Sequence, residues 1–235
     1  MIANLKSALC LIMIFSYINL FPQEKDPYAI IDTMKYYVEQ VIDYSADLEI
    51  DVDVDFINMP SKHARIYYKK PDKIKIKSDE FFMFPKRGLK NRMTEILDEP
   101  YTAIYLDQEI IREELHHVIR VVPMGRKPDI ILATWWINCN SFLISRSESN
   151  TRNDGSFLVD LFYDDPEIHL PTEMIFTFEI EKLKLPLKFI GKSAGMEMDK
   201  SKMNDSQKGK VYIKFSNYHV NTDLQDELFE DNEGD

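Results

Sequence analysis

Tyr44-Ser45-Ala46-Asp47-Leu48-Glu49-Ile50-Asp51-Val52-Asp53-Val54-Asp55 alternates over twelve residues without a lapse. Every even position is apolar or aromatic, and every odd position after Ser45 is a carboxylate. Only an extended strand sends such a series to two opposite faces, one dry and one charged. Asn58-Met59-Pro60-Ser61 then turns the chain. Lys62 to Lys69 follows, with Ala64, Ile66 and Tyr68 on one face and His63, Arg65, Tyr67 and Lys69 on the other. After Lys70-Pro71-Asp72, Ile74 and Ile76 alternate with Lys73, Lys75 and Lys77. Three consecutive strands with no helix-length connection between them must pair antiparallel, so the fold begins as a meander. Their outer faces run acidic, basic, basic, which favours pairing by about 0.2–1 kcal/mol per opposed pair.

Upstream of the meander lies a helix. Asp26 is a good N-cap, and Pro27 fits the first helical position, where no N–H is needed. Ile30, Ile31, Met34, Tyr37, Val38, Val41 and Ile42 recur at helical spacing, predicting a helix to about Ile42. Downstream, strands are expected at 102–106, 117–122, 130–137, 142–147, 157–163, 174–180 and 211–215, with Asn153-Asp154-Gly155 as a hairpin turn. Phe81, Phe82 and Phe84 form an aromatic knot, and Leu89 to Leu97 reads as a short helix. Lys192 to Lys210 reads as a polar loop, and Glu227 to Asp235 as an acidic tail that should fray.

The amino terminus bears on the compartment. Lys6 precedes an apolar run from Ser7 to Phe21, short for a bilayer span of roughly twenty residues but suited to a secretory leader. The expected division is a leader at 1–23, one domain at 24–230 and an acidic tail at 231–235. Cys10 lies inside the apolar run after Leu9, so it does not fit a lipid-attachment site. Removing 23 of the 235 residues leaves 212, within the range of one large β-domain. Only Cys139 then remains, so no intrachain disulfide is expected. The net charge of −11 argues against nucleic acid, whose phosphates require clustered cations. It also opposes anionic membranes unless a local basic patch intervenes.

Catalytic and metal readings fail on spacing. Asp51, Asp53 and Asp55 open like a calcium loop, but Phe56 stands where Gly is needed and Lys62 where Glu belongs. His116 and His117 are adjacent on a strand and should point to opposite faces. Cys139 sits between Asn138 and Asn140 without a neighbouring base, and no hydrolase, zincin or phosphate-loop motif occurs. No enzymatic activity, metal or cofactor is expected. The unusual feature is apolar surplus: Ile130 to Ile137 is apolar on both strand faces, where a one-sided sheet should alternate.

Several short segments carry a resemblance. Tyr67-Tyr68-Lys69-Lys70-Pro71-Asp72-Lys73-Ile74 resembles the "v-K-R-P-n-k-f" segment of the LolA-like lipoprotein carriers. Trp136-Ile137-Asn138 with Phe142-Leu143-Ile144-Ser145-Arg146 is similar to the family's W-[IV]-D strand and the strand after it. Leu170 to Met174, Phe215 to Tyr218 and Leu228-Phe229 resemble members described as outer-membrane lipoprotein-sorting proteins. The resemblance implies a strongly curved, open antiparallel sheet, an unclosed barrel, with helices over its concave face. It implies a periplasmic carrier that holds acyl chains of lipids or lipoproteins on their way to the outer membrane. Partners would be an inner-membrane releasing transporter and an outer-membrane acceptor. Other LolA-like proteins are sensors in envelope signalling, so a periplasmic module binding a membrane-anchored regulator or another envelope protein is the alternative. An Arg of the family's K-R-P segment that couples lid to cargo falls on Lys70, which keeps the charge but loses the bidentate fork. The expected ligand face comprises Leu48, Ile50, Val52, Ile66, Tyr68, Lys70, Ile74, Ile76 and Trp136.

Overall fold

A computed structural model describes residues 25–54, 57–78, 96–125, 130–152, 155–179, 197–198 and 208–230. The leader, the Phe81–Phe84 knot, residues 89–95 of the expected short helix, the Asn153-Asp154 turn residues and the 231–235 tail lie outside them. Ile96 and Leu97, the last two residues of that expected helix, are described and lie in a turn whose side chains join the core.

The helix α1 spans Pro27–Glu39, where the spacing predicts it. The Asp26 carboxylate accepts from the Tyr28 N–H at 2.9 Å and starts it. Ile30, Ile31 and Met34 are its buried stripe. It stops at Gln40, earlier than the spacing of Val41 and Ile42 suggests; Ile42 is largely exposed.

Twelve strands follow: β1 (Asp43–Asp53), β2 (Ile57–Asn58), β3 (Lys62–Lys69), β4 (Lys73–Lys77), β5 (Tyr101–Ile111), β6 (Glu114–Pro123), β7 (Ile130–Asn138), β8 (Ile144–Thr151), β9 (Ser156–Phe162), β10 (Glu173–Glu179), β11 (Glu197–Met198) and β12 (Lys208–Val220). Ten form one antiparallel sheet in the order β4-β3-β1-β12-β10-β9-β8-β7-β6-β5, while β2 and β11 pair separately. The expected β1-β3-β4 meander is present, with Ala46 opposite Ile66 and Ile66 opposite Ile76. The two ends of the order, β4 and β5, do not pair, so the sheet stays open. Register shifts in β12, β5, β7 and β8 mark bulges, which bend and coil a sheet of this width.

Two expectations need correction. The polar loop expected to reach Lys210 ends sooner, because β12 begins at Lys208. There Lys210 stands in register with Asp53, so opposed charges extend the ladder. The acidic tail does not fray from Glu227: Asp226–Phe229 is a 3-10 turn seated on lysines of β3 and β4.

Apolar packing occurs on one face of the sheet, in two clusters. Under α1, the side chains of Ile30, Ile31 and Met34 meet Ile119, Val121, Trp135, Ile137, Val159 and Leu161. Beyond it, Ala46, Leu48, Ile50, Ile66, Ile213 and Phe215 form the second cluster across β3, β1 and β12. Met174 of β10 touches both and joins them. Each large side chain so buried stabilises the fold by about 1.5–3 kcal/mol.

Candidate functional site: the helix-bearing apolar face

Register decides which residues share this face, because directly opposed residues point the same way. One row runs Val52, Val211, Phe176, Val159, Ser147, Trp135, Ile119, Tyr105, crossing eight strands. The neighbouring row on the other face runs Asp51, Tyr212, Ile175, Asp160, Arg146, Trp136. Leu48, Ile50, Val52, Ile66, Tyr68, Ile74 and Ile76 therefore lie together on the face that α1 covers in part. Trp136 does not. It shares the face of Asp51, donates from Nε1 to Glu109 at 2.9 Å, and has the Arg146 guanidinium 6.0 Å from its ring.

Its neighbour Trp135 takes the inner place and is completely buried. The sequence of β7 is apolar on both faces, so alternation could not say which Trp turns inward. On the second face of β7, Thr134 and, opposite Trp136, Val118 are buried beside long side chains such as Arg146 and Trp136.

Lys70 is at the β3–β4 turn, not on the sheet face. Its Nζ donates to the Glu39 carbonyl at 2.6 Å, at the end of α1. A cation belongs there, since the last carbonyls of a helix lack partners and carry its negative pole.

The face is not open. Leu48 and Ile50 are 2% exposed and Ile66 is 0% exposed, while Tyr68, Ile74 and Ile76 are partly buried. Among the described residues, α1 lies only over the β5–β9 half. At one border of this face, Tyr44 packs against Tyr68 and Tyr218, with ring centroids 5.3 and 5.8 Å away. Burial pushes the Tyr44 and Tyr218 hydroxyls well above their ordinary range, so both stay neutral. At another, Tyr37, Phe142, His117 and Tyr105 form a chain of ring contacts. Burial lowers the His117 pKa, favouring the neutral imidazole.

The other candidates have structural partners. His116 points away from His117, as expected, with Nε2 2.8 Å from the Ser145 hydroxyl and Nδ1 2.9 Å from the Glu114 carbonyl. Asp47 accepts from Arg65 at 2.7 Å and from Asn217 at 2.8 Å, and Asp51 accepts from Ser61. Among the described residues no three His, Cys, Asp or Glu side chains group to hold a metal. A depression of about 430 Å³ is lined by Glu49, Asp164, Glu173 and Lys214 together with Phe162 and Phe215; its four charged side chains do not suit an acyl chain.

Sequence reasoning missed three features of this region. Trp135 is hidden by the double apolar run. The serines of β8 are also hidden: Ser147 and Ser149 are buried on the helix-bearing face, where polar residues suggest solvent. Asp43, 2% exposed, accepts backbone N–H groups of Thr222 at 2.9 Å and Asp223 at 3.1 Å. The single local hint was its place before an alternating run.

No protein-family model matches the sequence, and no curated protein matches it. Solved structures do. A DUF1329 family protein from Desulfovibrio piger aligns with a TM-score of 0.54 at 12% identity, over 88% of this chain and 98% of that one. A domain assigned to outer-membrane lipoprotein sorting, from Vibrio parahaemolyticus, gives 0.55 at 12% identity, over 86% and 95%. A LolA superfamily protein from Nitrosomonas europaea gives 0.48 at 12% identity, over 88% and 98%. What the first two share with this chain is its fold, an open antiparallel sheet with a helix on its apolar face.

Proposed function

We propose that this chain is a periplasmic carrier that holds acyl chains of lipids or lipoproteins against its apolar face, for transfer toward the outer membrane. The observation that carries the reading is the row across eight strands, apolar except at Ser147, of which α1 covers only half among the described residues. A face this wide exceeds what one thirteen-residue helix can cover, and an apolar concavity of this kind suits an apolar ligand. Acyl chains suit it because they bind by area, at about 0.8 kcal/mol per buried CH₂. The lining would come from Leu48, Ile50, Val52, Ile66, Tyr68, Ile74 and Ile76, with Trp135 in the place expected for Trp136. Because Leu48, Ile50 and Ile66 are buried in the resting chain, binding requires this face to open. Lys70, holding the end of α1, would restrain that opening. A releasing transporter in the inner membrane and an acceptor in the outer membrane would be the successive partners.

Displacement of a fluorescent fatty acid by unlabelled lipopeptide measures the activity directly. Wild type should bind the probe at micromolar concentration. Ile76→Glu, partly buried on the apolar face, should weaken binding at least tenfold, while Asp51→Lys on the other face should not. Circular dichroism must show both variants folded. If wild type binds no acyl probe, the carrier reading is lost. Export is tested separately, by sequencing the amino terminus of the protein made in its host: a start near Glu24 is expected. Among the described residues no helix is long and apolar enough to cross a membrane.

A further inference from the structure

The chain is acidic, with a net charge of −11, yet the β3–β4 hairpin is a concentrated exception. Between Lys62 and Lys77 lie seven of the 29 Lys and Arg residues and one acid, Asp72. Arg65, Lys69, Lys73, Lys75 and Lys77 share one face, opposite to Ile66 and Ile76. Register sets Arg65 against Lys77 and Lys69 against Lys73. Like charges directly opposed repel, so this pairing needs anions to settle it.

The chain supplies them from its far end. Residues 223–230 carry four acids and no base. Asp226 bridges Lys69 and Lys73, with both contacts at 2.9 Å. The lysines also read backbone: Lys69 donates to the Leu224 carbonyl at 2.6 Å and Lys75 to the Glu230 carbonyl at 2.9 Å. The seat is superficial, since the Asp226 side chain is 58% exposed. Beside it, β4 is the terminal strand of the sheet, and no described strand pairs with its outer edge.

We propose that this lysine face and the β4 edge form a docking surface for an acidic polypeptide segment, and that residues 224–230 occupy part of it as a tethered competitor. A polypeptide fits better than a lipid surface for two reasons. The occupant seen is a peptide whose carbonyls, as well as its carboxylate, accept from the lysines. An open strand edge offers main-chain hydrogen bonds that only another chain can use. The partner is therefore an extended segment rich in Asp and Glu, and its binding displaces the C-terminal segment.

Fluorescence anisotropy with the full chain tests this. The probes are two labelled peptides: the sequence of residues 222–235, and the same residues scrambled. Both should bind, because charge and main chain, not side-chain order, make the contact. The double variant Asp226→Asn, Glu227→Gln should bind each at least fivefold more tightly than wild type. Lys73→Glu, Lys75→Glu should bind neither, and rising salt should weaken every complex. Hydrogen exchange at residues 73–77 should slow when peptide is added. Failure of the scrambled peptide would make the contact a purely intramolecular seat and overturn the proposal. So would unchanged affinity in the neutralised variant, or binding of phosphatidylglycerol vesicles without binding of either peptide.

Discussion

Trp135→Ala should lower the free energy of unfolding by about 3–5 kcal/mol, the range for emptying a large aromatic from a closed core. Trp135 is completely buried under α1, in the cluster that includes Ile31, Met34, Ile119 and Ile137. Deleting it removes apolar area and leaves a void between sheet and helix. Trp136→Ala should cost about 1 kcal/mol or less. That side chain is partly exposed, and it loses one hydrogen bond to Glu109 and a distant contact with Arg146. Trp135→Phe should recover most of the loss at the inner position. It keeps most of the area and removes an indole N–H that is buried without a partner among the described residues. Urea unfolding followed by circular dichroism measures all three, and equal slopes would show that the denatured states are comparable. Equal costs at 135 and 136, or the reverse order, would mean that the face assignment is wrong.

The same two residues show where the sequence is legible. In β1 the alternation is perfect, so the face of Leu48 and Ile50 could be read from twelve letters. In β3 and β4 the lysines mark the outer face as clearly. In β7 both faces are apolar and the period carries no information; resolving it takes a register row across eight strands. The pairing of β1 with β12 was also invisible, since Val52 and Val211 meet across most of the chain and no local pattern encodes that meeting. The helix was legible because its cap is local, yet its end was misplaced by two apolar residues, Val41 and Ile42. Val41 is buried beyond the helix, and Ile42 is exposed, so helical spacing there was coincidental. The C-terminal residues misled by composition: an acidic stretch usually stays solvated, but here the carboxylate of Asp226 meets two lysines. Lys70 was placed by resemblance alone; the structure shows only that its ammonium donates to the Glu39 carbonyl at the end of α1.

Two carboxylates four residues apart on β1 should behave very differently when replaced. Asp47 bridges Arg65, but both side chains are more than a third exposed. Water and salt screen such a pair, so Asp47→Ala should cost under about 1 kcal/mol. Asp43 is 2% exposed and accepts N–H groups from three consecutive residues, Thr222, Asp223 and Leu224, at 2.9, 3.1 and 3.4 Å. Its own carbonyl accepts from the Asn221 N–H at 2.8 Å. Asn221 then accepts from the Ile42 N–H at 2.7 Å and donates to the Gln40 carbonyl at 2.9 Å. Asn221 and Asp223 both have positive φ, a conformation that costs energy in residues with a Cβ and persists only when neighbours impose it. The carboxylate is what imposes it here. Asp43→Ala should therefore cost about 2–3 kcal/mol, since bonds to a charged acceptor are lost and several N–H groups are left half-buried. Asp43→Asn keeps one acceptor oxygen and should cost roughly half of that. The damage should be local in its first effect: amide exchange at 222–224 should accelerate before that of β1 or β12. The C-terminal segment begins where this cradle ends, so its seat on Lys69 and Lys73 should loosen as well. If Asp43→Ala unfolds at the wild-type urea concentration, the cradle is not what joins the end of α1 and the start of β1 to the end of β12.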